Sequence, residues 1–372
     1  MGEGLPSQSY DPGQAGALAN AAAPRPGEPA AGSSWPGPGE NPADPPGGSR
    51  RWGRWVLGGK IFVTLLTLGL LYHSVFAAPD TVAAWRALLA TSLGGAGRGP
   101  VLWALALVPV NWGLEAWKWH RLARHLEPVT FGRSLRAVLV GLTLGFATPN
   151  RVGDYAGRIL ELKSRRVSAL GAVFLGRYCQ LVATVLAGGA GLLYFLLNFY
   201  LRGYPAAGLG AVASAALLGG LVLVPLYRSR LLLAALGVWR PLRRFRPALA
   251  IMPTYPARAL HAVLALAGLR YAVFCTQFLL LLAAYGVRAP LGPGLAAVAG
   301  TFFLKSLVPS LNALADVGVR ELSATHLFGL LGQPALPVLS ASLSLWVINI
   351  ALPSAAGLLL VPGLRVLRGR QW

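Results

Sequence analysis

The sequence predicts an all-α integral membrane protein, a polytopic bundle of about six to eight transmembrane helices built around two broken elements. Three observations lead there. Of the 372 residues, 55% are apolar and only 12% charged, and mean hydropathy is +0.57. Soluble domains carry about a quarter charged residues, so half that share in so long a chain points to lipid as the solvent. The apolar residues are also concentrated: Ile61–Leu71, Val182–Leu197, Leu209–Leu226 and Phe278–Ala284 hold almost nothing polar. Finally, the 33 Lys and Arg that outweigh 12 Asp and Glu, for a net charge of +21, sit in short stretches between the apolar runs. That is the bias expected of cytoplasmic loops, and it removes the need for a nucleic-acid partner. The two cysteines, Cys179 and Cys275, fall inside apolar spans and define neither a disulfide framework nor a metal site.

Residues 1–50 are rich in Pro, Gly, Ala and Ser without apolar periodicity, which predicts a disordered cytoplasmic tail before a membrane domain over 51–372. The first span, Trp55–Ala77, follows Arg50, Arg51 and Arg54 and is too long for a signal-peptide core. The second, Val101–Trp119, runs into Lys118, Arg121, Arg124, Arg133 and Arg136, which places both ends of this hairpin in the cytoplasm. Trp112, Trp117 and Trp119 read as interfacial anchors. Ala137–Thr148 comes next; its twelve residues rise about 18 Å as helix, short of a hydrocarbon core of about 30 Å. It ends at Pro149, and basic residues on both sides predict a re-entrant hairpin from the cytoplasmic face. Two spans follow, Ala169–Phe199 and Ala206–Tyr227, with glycines that favour close helix packing. Residues 228–258 carry seven arginines and no acid, and within them 231–239 reads as an amphipathic segment at the interface. Leu260–Val287 is a further span. Leu295–Leu304 is a second short stretch, meeting Lys305 and Pro309, and Leu336–Leu360 is the last span before Arg365, Arg368 and Arg370. Both termini are expected in the cytoplasm.

The two broken elements resemble each other, each with a short apolar lead, a Pro, and then Asn, Asp, Gly and Arg. The first has Pro149, Asn150, Asp154, Gly157 and Arg158; the second has Pro309, Asn312, Asp316, Gly318 and Arg320. Interrupted segments at matching places in two halves mark the substrate path of transporters with inverted repeats. Ionised groups inside hydrocarbon are costly and therefore face one another or a pathway. The candidate substrate-binding residues are Arg151, Asp154, Arg158 and Glu161 in the first element and Lys305, Asp316, Arg320 and Glu321 in the second. Pro149, Asn150, Pro309 and Asn312 would break the helices, and Gly153, Gly157 and Gly318 would admit close backbone approach. Plainer readings stand beside these. Residues 150–166 could be an ordinary loop, and Asp316 with Arg320 a local ion pair at i,i+4. Arg177 and Arg270 could snorkel to the interface. His73, His120, His125, His261 and His326 lack metal-ligand spacing and read as structural.

Four runs in order carry a resemblance: N-W-G-L-E-A-W-K-W (111–119), G-F-A-T-P-N-R-V-G-D-Y-A-G-R (145–158), K-S-L-V-P-S (305–310) and A-D-V-G-V-R-E (315–321). Over about residues 55–361 the chain resembles the lysylphosphatidylglycerol synthase transmembrane, or flippase-like, family. The resemblance implies a lipid or glycolipid translocase domain of the bacterial inner membrane, with a phospholipid or glycolipid as substrate and no cofactor. Its fused members carry an aminoacyl-transfer domain; this sequence ends at Trp372 without one, so lysyl transfer is not expected of it. The sequence also lacks a Walker-type phosphate loop, which argues against direct nucleotide drive. Two other readings compete: a membrane-embedded enzyme using Asp154, Glu161 or Asp316 as acid or base on a lipid-linked substrate, and a non-transporting partner of a cell-envelope lipid-synthesis enzyme.

Overall fold

The computed structural model describes residues 81–148, 152–162, 166–238, 242–308 and 315–360, and all regular structure among them is helical. The expected tail and the expected span Trp55–Ala77 lie outside these residues. The principal helices are α1 (Thr81–Gly94), α2 (Arg98–Ala123), α3 (Phe131–Ala147), α4 (Val152–Leu160), α5 (Arg166–Phe195) and α6 (Pro205–Tyr227). They continue with α7 (Ser229–Val238), α8 (Ala257–Ala284), α9 (Leu291–Leu307), α10 (Ala315–Leu330), α11 (Ala335–Trp346) and α12 (Leu352–Leu358). A π-helical turn, Leu196–Tyr200, extends α5, and a second, Val347–Ala351, joins α11 to α12.

Four stretches among the described residues are long and apolar enough to cross a bilayer: Val167–Tyr200, Pro205–Tyr227, Ala257–Ala284 and Ala335–Leu358. The α1–α2 pair, bent by 79°, is a fifth when counted as one span. The fold is thus all-α and polytopic. On α6, Leu209, Leu217 and Leu221 are 72%, 74% and 65% exposed, an apolar surface that suits lipid rather than water.

The helix ends follow local chemistry. Thr130 caps α3, its Oγ1 accepting from Arg133 N at 3.4 Å, so the helix starts at Phe131 rather than at Ala137. It still rises only about 25 Å. Thr148 and Val308, the residues after α3 and α9, are both extended, with ψ 144° and 115°. Each precedes a proline, whose ring disfavours the helical conformation in the residue before it. Gly286 and Gly332 end α8 and α10 with φ of 81° and 72°. In each case the next N–H reaches back to close the helix, Val287 N to Leu282 O and Gln333 N to Phe328 O, both at 2.9 Å. α1 and the full length of α10 are additions to the sequence reading, which took the first as a connection and the start of the second as a polar run.

Helices α3 and α4 form a hairpin whose backbones touch. A methyl group on Gly153 would overlap the Leu144 carbonyl, and one on Gly157 would overlap the Gly141 backbone. The Gly153 N–H donates to Thr148 Oγ1 across the break at 2.8 Å. Helices α9 and α10 pack on each other as the second hairpin. The packing of the first half recurs in the second: α2 lies on α3 as α8 lies on α9, and α4 on α5 as α10 on α11. Across the halves, α3 packs on α12 and α9 on α5, while α2 and α8 form the central contact.

Several polar groups inside the bundle pair with one another, as exclusion from water favours. Asn111 Nδ2 donates to Asn349 Oδ1 at 2.7 Å, and Gln277 Nε2 to Ala104 O at 2.9 Å. Pro353 has no N–H to offer the carbonyl four residues earlier, that of Asn349; Trp112 Nε1 donates to it instead, at 3.2 Å.

Candidate functional site

Two adjoining cavities of about 230 Å³ each lie where the hairpins meet the central helices. Trp112, Gln180, Thr184, Arg270 and Ser306 line both. The first cavity is walled on one side by Glu115 and Lys118 of α2 and by Asp154 and Arg158 of α4, with Arg177 of α5 beside them. The second adds Lys305 of α9 and Arg320 of α10.

Glu115 is the hub of the first cavity. It is 4% exposed and holds cations from three helices. Its Oε1 accepts from Arg158 Nη2 at 2.9 Å, while Oε2 lies 2.7 Å from Lys118 Nζ and 3.4 Å from Arg270 Nε. Asp154 is equally buried and takes Arg158 Nη2 on Oδ1 at 3.2 Å and Arg177 Nε on Oδ2 at 3.0 Å. Asp154 opens α4 and Arg158 closes it, each at the helix end whose dipole favours its charge. Gln180 Oε1 lies 3.5 Å from Lys118 Nζ and 3.4 Å from Arg270 Nη1, joining the same network. Each arginine also stacks on an aromatic ring: Arg158 on Trp119 at 5.8 Å, Arg177 on Tyr155 at 5.6 Å and Arg270 on Trp112 at 5.1 Å. Stacking and ion pairing together hold the guanidinium planes in fixed orientations.

The second hairpin is arranged differently. Arg320 ion-pairs with its sequence neighbour Glu321, which is wholly buried. Arg320 Nε also donates to Ser342 Oγ at 2.8 Å and Nη2 to Ser342 O at 3.0 Å, while Ser342 Oγ donates to Glu321 Oε1 at 2.9 Å. The group clamps α10 to α11.

Of the residues singled out in the sequence, Asp154, Arg158, Lys305 and Arg320 line the cavities, with Glu321 directly behind Arg320. Glu161 is buried but lines neither; its Oε1 lies 3.3 Å from Arg136 Nε and its carbonyl accepts from Arg133, a brace between the end of α4 and the start of α3. Gly153 and Gly157 make the hairpin contact, and Gly318 is buried. Arg151, Pro149, Asn150, Pro309 and Asn312, and the Asp316 side chain, lie outside the described residues. The sequence reading left Glu115, Lys118, Arg177 and Arg270 out of the candidate site, with snorkelling offered for Arg177 and Arg270. Arg177 and Arg270 sit well inside their helices rather than at the ends where snorkelling works, and that position was the available signal. Trp112 and Trp119 are buried against arginines, which corrects their assignment as interfacial anchors; Trp117 is half exposed.

Residues 55–357 match the family model of the lysylphosphatidylglycerol synthase TM region. The chain belongs to that family. No curated protein and no solved structure gave a match. Membership places this member in a membrane setting concerned with lipid, in keeping with its apolar spans. Within the family's matched region lie all the described cavity residues, from Trp112 to Ile350.

Proposed function

We propose that the protein is a translocase that moves a phospholipid or glycolipid between leaflets, its head group passing through the paired cavities. The observation that carries this reading is the concentration of ionised groups from both hairpins around one polar space inside a bundle of membrane-spanning helices. On insertion scales a charge at mid-membrane costs about 2.5–3.5 kcal/mol, so a set of them is retained where it faces a pathway. The recurrence of packing between the halves supports an inverted repeat, in which one hairpin enters from each face and the cavity lies between them. Arg158, Arg177 and Arg270 would meet the head-group phosphate, with Lys305 and Arg320 receiving it from the second hairpin. The glycine contact between α3 and α4 would let that hairpin move as one body. The inner bacterial membrane, with both termini cytoplasmic, is the setting this reading requires.

The test is reconstitution into vesicles with fluorescent lipids of several head groups. Leaflet exchange should exceed that of protein-free vesicles, and Arg177→Gln should reduce it at least tenfold while Leu217→Ala on the lipid-facing side of α6 leaves it intact. Exchange equal to the protein-free rate across the panel would remove the translocase reading.

A further inference from the structure

We infer that the head group taken by the first cavity carries a doubly charged phosphate, a phosphomonoester or a pyrophosphate. This rests on the reading that the cavity receives a head group, and it narrows which one. Among the described lining residues, Lys118, Arg158, Arg177 and Arg270 stand against Glu115 and Asp154, an excess of two positive charges around a partly open cavity. Low surrounding polarity makes that excess costly unless an anion of matching charge is present. A phosphodiester brings one negative charge and leaves one cation uncompensated; the terminal phosphate of a phosphomonoester brings two, and a pyrophosphate adds a third on its inner phosphate.

A cationic head group fits badly for a separate reason. Both carboxylates are already committed, Glu115 to Lys118, Arg158 and Arg270, and Asp154 to Arg158 and Arg177. An ammonium group would have to displace one of these tethered cations and would then face the remaining three. That arrangement rejects amines by like charge as well as failing to hold them.

The donors suit phosphate. A guanidinium offers five N–H groups in a planar fork matched to phosphate oxygens. Arg158 is 3% exposed, and its Nε has no hydrogen-bond partner among the described residues. The Arg177 side chain is 36% exposed, the most open of the cavity ion pairs, so it is the cation an entering oxygen can reach with least rearrangement. The aromatic rings beneath Arg158, Arg177 and Arg270 fix their forks before the ligand arrives.

The test is direct binding by the full chain in detergent at pH 7.5, followed by calorimetry, with phosphatidic acid, a polyprenyl pyrophosphate, phosphatidylglycerol, phosphatidylethanolamine and an aminoacylated phosphatidylglycerol. The two lipids that end in a doubly ionised phosphate should bind at least tenfold more tightly than phosphatidylglycerol, and the amine-bearing lipids more weakly still. Comparing phosphatidic acid with the pyrophosphate tells which form is preferred. Arg177→Lys keeps the charge and loses the fork; it should weaken phosphatidic acid at least fivefold, whereas Trp117→Ala should change nothing. Phosphatidylglycerol or an amine-bearing lipid binding as tightly as phosphatidic acid would overturn the inference, as would an unaffected Arg177→Lys or no binding by any lipid. The two proposals fail separately. Selective binding without leaflet exchange defeats the translocase alone, and exchange without preference for lipids that end in a doubly ionised phosphate defeats only this inference.

Discussion

The two hairpins share a sequence pattern and use it differently. In α3–α4, Asp154 and Arg158 reach out to α2 and α5, and through Glu115 to Arg270 of α8, so the hairpin is tied to the bundle by charges shared among several helices. In α9–α10, Arg320 pairs with Glu321 Oε1 and with the Ser342 backbone and hydroxyl, and the tie runs to one neighbour. A shared carboxylate leaves its cations with alternative partners, whereas Arg320 is held by one carboxylate and one serine. On the proposed reading the first hairpin would bind and release the anion, and the second, its Arg320 held in place by Glu321 and Ser342, would present a fixed charge to it.

The contrast predicts graded outcomes. Glu115→Leu should be the most damaging single change, since it leaves Lys118, Arg158 and Arg270 facing one another in a buried space. Breaking such a set by removing one partner costs about 3–5 kcal/mol, and thermal unfolding in nanodiscs would register it as loss of the folded protein at ambient temperature. Wild-type melting in this variant would mean that Glu115 does not tie the helices together. Glu321→Gln keeps the shape of the clamp and removes its charge. It should cost about 1.5–3 kcal/mol, the range for hydrogen bonds to charged groups, and lower the melting temperature without changing which lipids are bound. A change in lipid selectivity would make the two hairpins functionally alike.

Gly157→Leu comes next. The side chain would meet the Gly141 backbone and push α4 from α3, at about 1–3 kcal/mol as for other overpacked contacts. Here cysteine cross-linking between the two helices is the sharper readout, because the hairpin should open even where the protein still accumulates. The smallest effect belongs to Trp112→Phe, which keeps a ring beneath Arg270 and removes the donor to the Asn349 carbonyl. Hydrogen bonds between membrane helices average about 0.6 kcal/mol, so melting should shift slightly while lipid binding persists. A large loss of binding would show that the indole N–H, rather than the ring, positions Arg270.

Much of the fold could be read in advance because its causes are local. The spans Ala206–Tyr227 and Leu260–Val287 differ from α6 and α8 only at their ends, since an apolar run of that length has one stable form in lipid. The breaks after Thr148 and Val308 come where the prolines at 149 and 309 open polar runs, unlike Pro109 and Pro225, which lie inside continuous helices. The start of α3 was misplaced because a threonine cap, weak beside a hydropathy run, set it.

The charges divide along the same line. Asp154 and Arg158 stood out because they lie in a polar interruption, which composition reveals. Glu161 stood in that interruption too, yet it faces Arg136 and Arg133 away from the cavities. Arg177 and Arg270 lie in helices apolar on nearly every side, where no amphipathic stripe announces which face turns inward. The sequence by itself determined the membrane-spanning helices, their breaks and the charged hairpin, because hydropathy, proline and glycine act through neighbours in the chain. Only the tertiary structure decided that Glu115 would gather Lys118, Arg158 and Arg270, because that meeting depends on α2, α4 and α8 packing at one place, which no local preference encodes.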